Sequence, residues 1–329
     1  MTNKTTSREN LLNQYPIPNA ADLGRVGVLM GGVSAEREVS LMSGQGVLSA
    51  LQTAGVDVVP IEVNGNIVAQ LQNADVDRVF NILHGGAGEN GTVSALLDLL
   101  EIPYTGSDMA ASVLAMDKVR SKTLWEAEGL PVKPAMLVEG HMDEDEVVSR
   151  LGLPVCVKPI TEGSSVGVVC VRKKEDLAGA IAKVQKHGPL MLEPWVEGAE
   201  CTVAIVGQAT LPVVQIVSAV EFYDYTAKYI SDDTQYLCPA PISVELSQEM
   251  QHVALSAYNA LGCRGWARAD FMVDAANRPW LLEINTVPGM TSHSLVPKAA
   301  MAAGLTYQEV VLMILGQTLA SANAQRNVA

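Results

Sequence analysis

Two short stretches near the C-terminal end, Arg268-Ala-Asp270 and Glu283-Ile-Asn285, carry residue types suited to a charged, phosphorylated substrate. Each lies in a run with the alternation of a strand. In Trp266–Val273, Arg268, Asp270 and Met272 share one face, and Ala267, Ala269, Phe271 and Val273 the other. In Trp280–Thr286, Leu281, Glu283 and Asn285 alternate with Leu282 and Ile284. The intervening Asp274-Ala-Ala-Asn277-Arg-Pro279 has turn chemistry, so the spacing predicts an antiparallel hairpin. Pairing Asp274 with Pro279 and counting outward sets Asp270 opposite Glu283 and Arg268 opposite Asn285. Cross-strand partners have Cβ atoms about 5 Å apart, so two carboxylates, an amide oxygen and a guanidinium share one face. Carboxylates this close repel unless a cation sits between them. An oxygen-only set suits Mg2+, which commonly pairs protein carboxylates with substrate phosphates. Alternating charge also marks plain solvated strands. The sequel favours a site: Thr286-Val-Pro-Gly289-Met-Thr-Ser-His-Ser294-Leu295 is a loop dense in hydroxyls, with a glycine whose N–H can approach a ligand.

The other candidates sit in loops that follow strands. Strand Arg25–Met30 leads into Gly31-Gly-Val-Ser34-Ala-Glu36-Arg-Glu-Val-Ser40 and a helix to about Thr53. Val56–Val63 is a second strand and Ile67–Gln72 a short helix. Strand Val79–Leu83 leads into His84-Gly-Gly-Ala-Gly88-Glu-Asn90-Gly91 and the helix Thr92–Leu100. Strand, Gly-rich loop and helix in repetition predict a parallel α/β sheet with its sites beyond the strand C-termini. Neither loop is a P-loop or G-x-G-x-x-G. Glu36 suits a first-turn acid complementing the helix dipole, and His84 a turn histidine; a ligand is the alternative for each. Further on, strand Val155–Pro159 carries Lys158 and feeds Ile160-Thr-Glu162-Gly163-Ser164-Ser165-Val-Gly167 before strand Val168–Val171. Such a loop can offer successive backbone N–H groups to phosphates.

The 329 residues allow two or three domains, and 48% hydrophobic content excludes a disordered chain. A net charge of −14 argues against nucleic-acid binding. Five cysteines, odd in number and widely spaced, read as thiols of a reducing compartment. The polar first 23 residues lack the apolar core of a signal peptide. They read as a flexible arm. The uncharged run Cys201–Val220 reads as two short strands joined by Gly-Gln-Ala-Thr rather than a membrane span. A cytoplasmic protein with no membrane partner is expected. The long passage Glu221–Pro241, holding Phe222-Tyr-Asp-Tyr-Thr-Ala-Lys228-Tyr229, is of the length and aromatic content typical of functional loops.

Taken together, these motifs resemble the D-alanine–D-alanine ligases of the ATP-grasp superfamily. Gly-Gly-x-Ser-x-Glu-x-x-Val-Ser, His-Gly-x-x-Gly-Glu, Arg-x-Asp, Glu-x-Asn and Pro-Gly-Met-Thr-x-x-Ser occur in order, and the likeness covers about Arg25–Leu315. The resemblance implies an α/β fold in which a parallel α/β (pre-ATP-grasp) domain, 24–116, precedes two α+β domains, 117–206 and 207–329, that sandwich ATP. It implies that ATP activates one D-alanine as an acyl phosphate, which a second D-alanine attacks to give D-alanyl-D-alanine for peptidoglycan precursors. A relative with another acceptor, such as D-lactate, is the alternative, against which Tyr229 speaks. The resemblance places two Mg2+ ions (or Mn2+) on Asp270, Glu283 and Asn285. It assigns ATP to Lys118, Lys158, Glu162, Gly163, Ser164, Ser165, Glu193, Trp195, Val196, Glu200 and Lys228. Glu36, His84, Arg268, Gly289, Ser294 and Leu295 would bind the amino acids, and Glu36, Ser164, Tyr229, Arg268 and Gly289 would serve catalysis. Residues 221–241 would be a lid, and the enzyme a homodimer. Asn90 and Pro194 depart from the family pattern, the one replacing an Asp, the other a charged residue.

Overall fold

The computed structural model describes residues 7–140, 142–217 and 234–326; Lys228 and Tyr229, with most of the expected lid, lie outside the described residues. The parallel unit comes first. Strands β1 (Val26–Gly31), β2 (Val58–Val63) and β3 (Arg78–Asn81) form a parallel sheet ordered β2-β1-β3. All of β1 is buried because helices cover both faces, which is why it reads as an unbroken apolar run. Helix α2 (Arg37–Thr53) covers one face with Val47, Leu48 and Leu51. Helices α3 (Ile67–Ala74) and α4 (Thr92–Leu99) cover the other with Leu71, Val93 and Leu97.

Helix α5 (Met109–Met116) has no counterpart in the sequence reading. Its sequence is apolar on nearly every side, so no 3.6-residue period marks it, although Asp108 caps it by accepting the Ala111 N–H at 3.0 Å. Asp117 then caps α6 (Lys118–Ala127) through the N–H groups of Val119 and Arg120. A small antiparallel lobe follows, with strands β4 (Met136–Leu137), β5 (Val155–Pro159), β6 (Val169–Val171) and β7 (Leu190–Pro194) in the order β4-β7-β5-β6. Helices α7 (Glu144–Leu151) and α8 (Leu177–Val184) back it through Val147, Leu151, Leu177 and Val184.

The third sheet is antiparallel and runs β11 (Gln235–Leu237), β10 (Val214–Val217), β8 (Gly198–Val206), β12 (Trp266–Asp274), β13 (Pro279–Asn285), with β9 (Ala209–Thr210) paired to β8. Strand β8 lies at its centre, bonded to both β10 and β12. The expected division at 206/207 would part β8 from its neighbours; the sheet begins at Gly198. Composition could not reveal this, because β8 is apolar like the strands before and after it. From Cys201 to Val217 the uncharged run is strands β8, β9 and β10 with short connections, and among the described residues no single helix is long and apolar enough to cross a membrane.

One face of this sheet packs Val203, Ile205, Ala269 and Phe271 on α5, α6 and α9 (Val244–Ala260), around Trp125, Met250 and Tyr258. The opposite face begins as core. Trp266 packs with Phe80 of β3, ring centroids 6.1 Å apart, and with α10 (Leu295–Ala302) and α11 (Tyr307–Arg326). Two and four residues along β12, that same face carries Arg268 and Asp270. The parallel unit, the last two helices and the root of the hairpin therefore share one apolar core.

Residues 7–23 overturn the expectation of a flexible arm. Helix α1 (Arg8–Gln14) buries Leu11, and Leu23 is fully buried in the shared core. Arg8 pairs with Glu309 at 2.5 Å, and the Tyr15 hydroxyl accepts the Gln208 N–H. Gly207 makes room for this ring, since a Cβ there would fall 2.3 Å from it. The segment is polar by count, but its few apolar residues are the ones that dock. Leu11→Ala is expected to cost about 2–3 kcal/mol of unfolding free energy in urea titration; an unattached arm would show no change.

Candidate active site

The hairpin register is the foundation of the site. Arg268 lies opposite Asn285 and Asp270 opposite Glu283, as the count predicts. Nearer the turn the pairing differs by one, with Val273 opposite Pro279, because a β-bulge intervenes after Asp270. The extra residue is Leu282. It corrects the expected alternation: Leu281 joins Ile284 in the core, while Leu282 and Glu283 both face the cleft.

Each polar group on this face is charge-balanced within the protein. The Arg268 guanidinium donates to both Asp270 oxygens, 2.7 Å each, and the Lys118 ammonium lies 3.1 Å from Glu283. Lys118 also donates to the Glu162 carbonyl at 2.7 Å, which ties α6 to the serine-rich loop. Asn285 Oδ1 accepts the Val287 N–H at 2.9 Å, fixing the first turn of the next loop. Two carboxylates and an amide oxygen so placed form a hard-oxygen donor set that fits Mg2+, with Arg268 and Lys118 compensating their charge.

Four elements converge on this face. From the parallel unit come Glu36, the N-cap of α2, and His84, just beyond β3. Ser164 Oγ donates to Glu36 Oε1 at 2.5 Å, joining loops 128 residues apart in sequence. Ser164 and Ser165 both have positive φ, 51° and 59°, backbone strain of a kind that collects at functional loops. Both His84 ring nitrogens are engaged, Nδ1 donating to the Val287 carbonyl (3.0 Å) and Nε2 facing Ser43 Oγ (3.3 Å). His84 thus locks the loop after β13 onto the parallel unit. Asn90 accepts from the Thr92 N–H and hydroxyl (3.1 and 2.7 Å) at the start of α4, a task for either an amide or a carboxylate oxygen.

On the far side, Gly289 passes Ser294 so closely that a Cβ would lie 2.7 Å from its Oγ. Ser294 is the N-cap of α10, yet its Oγ takes the Thr291 N–H rather than capping the helix. With Pro297 lacking an N–H, the N–H groups of Leu295 and Val296 are the donors that the helix start can offer a carboxylate. Glu36, His84, Arg268, Asp270, Glu283, Asn285, Gly289, Ser294 and Leu295 all line this half of the cleft.

The cleft continues into a second half shared through Lys118, Glu162, Gly163, Glu200, Asp270 and Glu283. Lys158, Ser165, Glu193, Trp195 and Val196 complete it, with Met272 and Leu282 as an apolar floor. Every predicted site residue within the described part of the chain thus lines one cleft. Glu193 does more than line the cleft. Its buried carboxylate pairs with Lys158 and, at 2.7 Å, with Lys122. Sequence reading missed Lys122, although its spacing of four from Lys118 puts both on one face of α6.

Two antiparallel sheets closing on a cleft behind a parallel α/β unit make an ATP-grasp enzyme. The family model described as the D-ala D-ala ligase C-terminus matches residues 124–316, and that of the D-ala D-ala ligase N-terminus matches 25–68 and 62–107. The D-alanine–D-alanine ligase of Laribacter hongkongensis is 50% identical over 293 residues, 89% of this chain and 95% of that one. The crystal structure of the Bacillus anthracis D-alanine–D-alanine ligase complexed with ATP superposes with a TM-score of 0.81 at 33% identity, over 92% of this chain and 99% of that one. A D-Ala:D-Ser ligase from Enterococcus faecalis gives 0.78 at 29% identity, over 90% and 99%. The chain belongs to the D-alanine–D-alanine ligase family.

The Lys122–Glu193–Lys158 triad makes a testable demand. Burial would raise the Glu193 pKa, but the two ammoniums outweigh it and hold the carboxyl at about 2. Being depressed, it contributes its full stability above the ordinary glutamate value of about 4.3 and loses it as pH falls toward about 2. Glu193→Gln leaves two ammoniums buried and is expected to cost about 3–5 kcal/mol at neutral pH. Urea titrations should also show a smaller stability loss between pH 4.5 and pH 2.5 in the variant than in the wild type, about two units being the span of the missing titration.

Proposed function

We propose that this cleft joins two D-alanines into D-alanyl-D-alanine at the expense of ATP, for peptidoglycan precursor synthesis, in a cytoplasmic homodimer. One observation carries the reading: a hairpin of paired carboxylates, the Glu36–Ser164 bridge and the open N-terminus of α10 border the same space. A carboxylate-rich face beside an ammonium-binding acid and a carboxylate-binding helix end suits amino acids next to a nucleotide.

Lys118, Lys158 and the N–H groups around Ser164 and Ser165 hold the ATP phosphates, and Glu200 the ribose. Asp270, Glu283 and Asn285 would hold Mg2+, which when bound neutralises charge on the transferring phosphoryl group. The first D-alanine places its ammonium on Glu36, and its carboxylate attacks the γ-phosphorus to give D-alanyl phosphate and ADP. The acceptor's carboxylate rests on Ser294 and the first N–H groups of α10, so that its amine attacks the acyl carbon. Arg268 and the Gly289 N–H aim at the oxyanion that develops, and phosphate leaves. Lys228 and Tyr229 would close over the site and exclude water from the acyl phosphate.

ADP release with Mg-ATP and D-alanine, with the dipeptide mass recorded, tests the reading; D-serine and D-lactate serve as rival acceptors. Absence of turnover with D-alanine in protein that binds ATP overturns it. Arg268→Ala is expected to lower kcat by at least about 10²-fold. Turnover near that of the wild type would remove this side chain from the chemistry.

A further inference from the structure

The nucleotide half of the cleft contains one lysine that the assignments above leave unused. Lys133, in the loop between α6 and β4, lines this half together with Lys118 and Lys158. Lys118 and Lys158 each face a carboxylate, Glu283 and Glu193. Lys133 instead holds its ammonium 3.6 Å from the centre of the Trp280 ring, and among the described residues no carboxylate forms an ion pair with it. Burial lowers its pKa, and the Arg278 guanidinium adds to this, Asp274 opposing.

Its position along the cleft follows from strand register. Trp280 lies opposite Met272, and Met272 opposite Glu200. This row is two residues along β12 from Asp270, on the side away from the shared core. It belongs to the nucleoside end, where Met272 and Leu282 form the floor. Backbone donors are few at that end: Pro194 has no N–H and no polar side chain, and the Trp195 N–H is spent on the Pro154 carbonyl at 2.9 Å, which leaves the Val196 N–H alone among these three to face several ring nitrogens. A purine presents ring nitrogens that accept hydrogen bonds, so a wall facing it must supply donors or leave them unpaired.

We propose that Lys133 reads the purine base of ATP: its ammonium, held on the face of Trp280, donates to a ring nitrogen. The indole restricts a flexible chain and leaves the N–H bonds that do not face the ring free to turn into the cleft. This rests on the nucleotide reading of the cleft. It concerns recognition of ATP and leaves the acceptor chemistry untouched.

The test reads ATP affinity directly by calorimetry, in wild type, Lys133→Met and Trp280→Leu, and KM in steady-state turnover. Removing a charged donor to a ring nitrogen is expected to weaken ATP binding by about tenfold or more, with KM for D-alanine within about twofold of wild type. Trp280→Leu is expected to weaken it in the same direction. Three analogues, 1-deaza-, 3-deaza- and 7-deaza-ATP, identify the atom. One should bind wild type as weakly as ATP binds Lys133→Met, and should show no further loss in that variant. Equal ATP affinity in wild type and Lys133→Met overturns the proposal, as does a penalty for all three analogues that persists unchanged in the variant. Wild type that binds ATP without consuming D-alanine would overturn the proposed function alone, since base recognition is read from binding.

Discussion

Like charges held at close quarters govern this cleft. Asp270 and Glu283 face each other across two bonded strands, and the backbone gives them no means of moving apart. Their repulsion must be cancelled from outside the hairpin or along it. Arg268 does so from the same strand and Lys118 from a different element. Lys118 can reach only because Asp117 starts α6 where it does and because the Glu162 carbonyl holds the ammonium in place. The position of a helix and the course of a loop thus answer to one electrostatic requirement of the hairpin. Arg268 and Lys118 also supply positive charge on either side of the space where phosphate and acyl oxygens would gather.

A second compensation lies behind the first. The Lys122–Glu193–Lys158 triad is buried, with two amino groups to one carboxylate. A buried arrangement of this kind adds little to stability compared with an apolar one. It does fix the direction of Lys158 at the cleft wall and anchor β7 to α6, so that Pro194–Val196 are set relative to Lys118 and the serine-rich loop. Glu193 therefore acts through its two lysine neighbours.

Much of this was legible in the chain. The period-two pattern around Arg268 and Glu283 and the turn between them sufficed to set the facing pairs, because register has only two faces to choose from. The bulge at Leu282 escaped notice because a bulge changes the count without changing the residue types. Helix α5 was hidden by its lack of a polar side, and the docking of residues 7–23 by a polar composition in which Leu11 and Leu23 are rare. Placement of β8 was a tertiary matter: the strand pairs forward with β10 and β12, and no local signal distinguishes it from β7. Lys122 and Lys133 carry no motif; their importance appears only when Glu193 and Trp280 are seen beside them.

The apolar core built by the parallel unit also has a temporal side. The core that α2 and Phe80 share with the rest of the chain is completed by Val296, Val310 and Ile314, which leave the ribosome some 250 residues after α2. During synthesis, the first unit to emerge can form its sheet and both helical layers while its share of that common core waits for the end of the message. Nascent chains at that stage are the species most exposed to aggregation and most in need of chaperones. A premature stop within the final helices would leave that share uncovered for the life of the product, so quality control would meet the loss of the last few dozen codons as a folding failure in the first hundred residues.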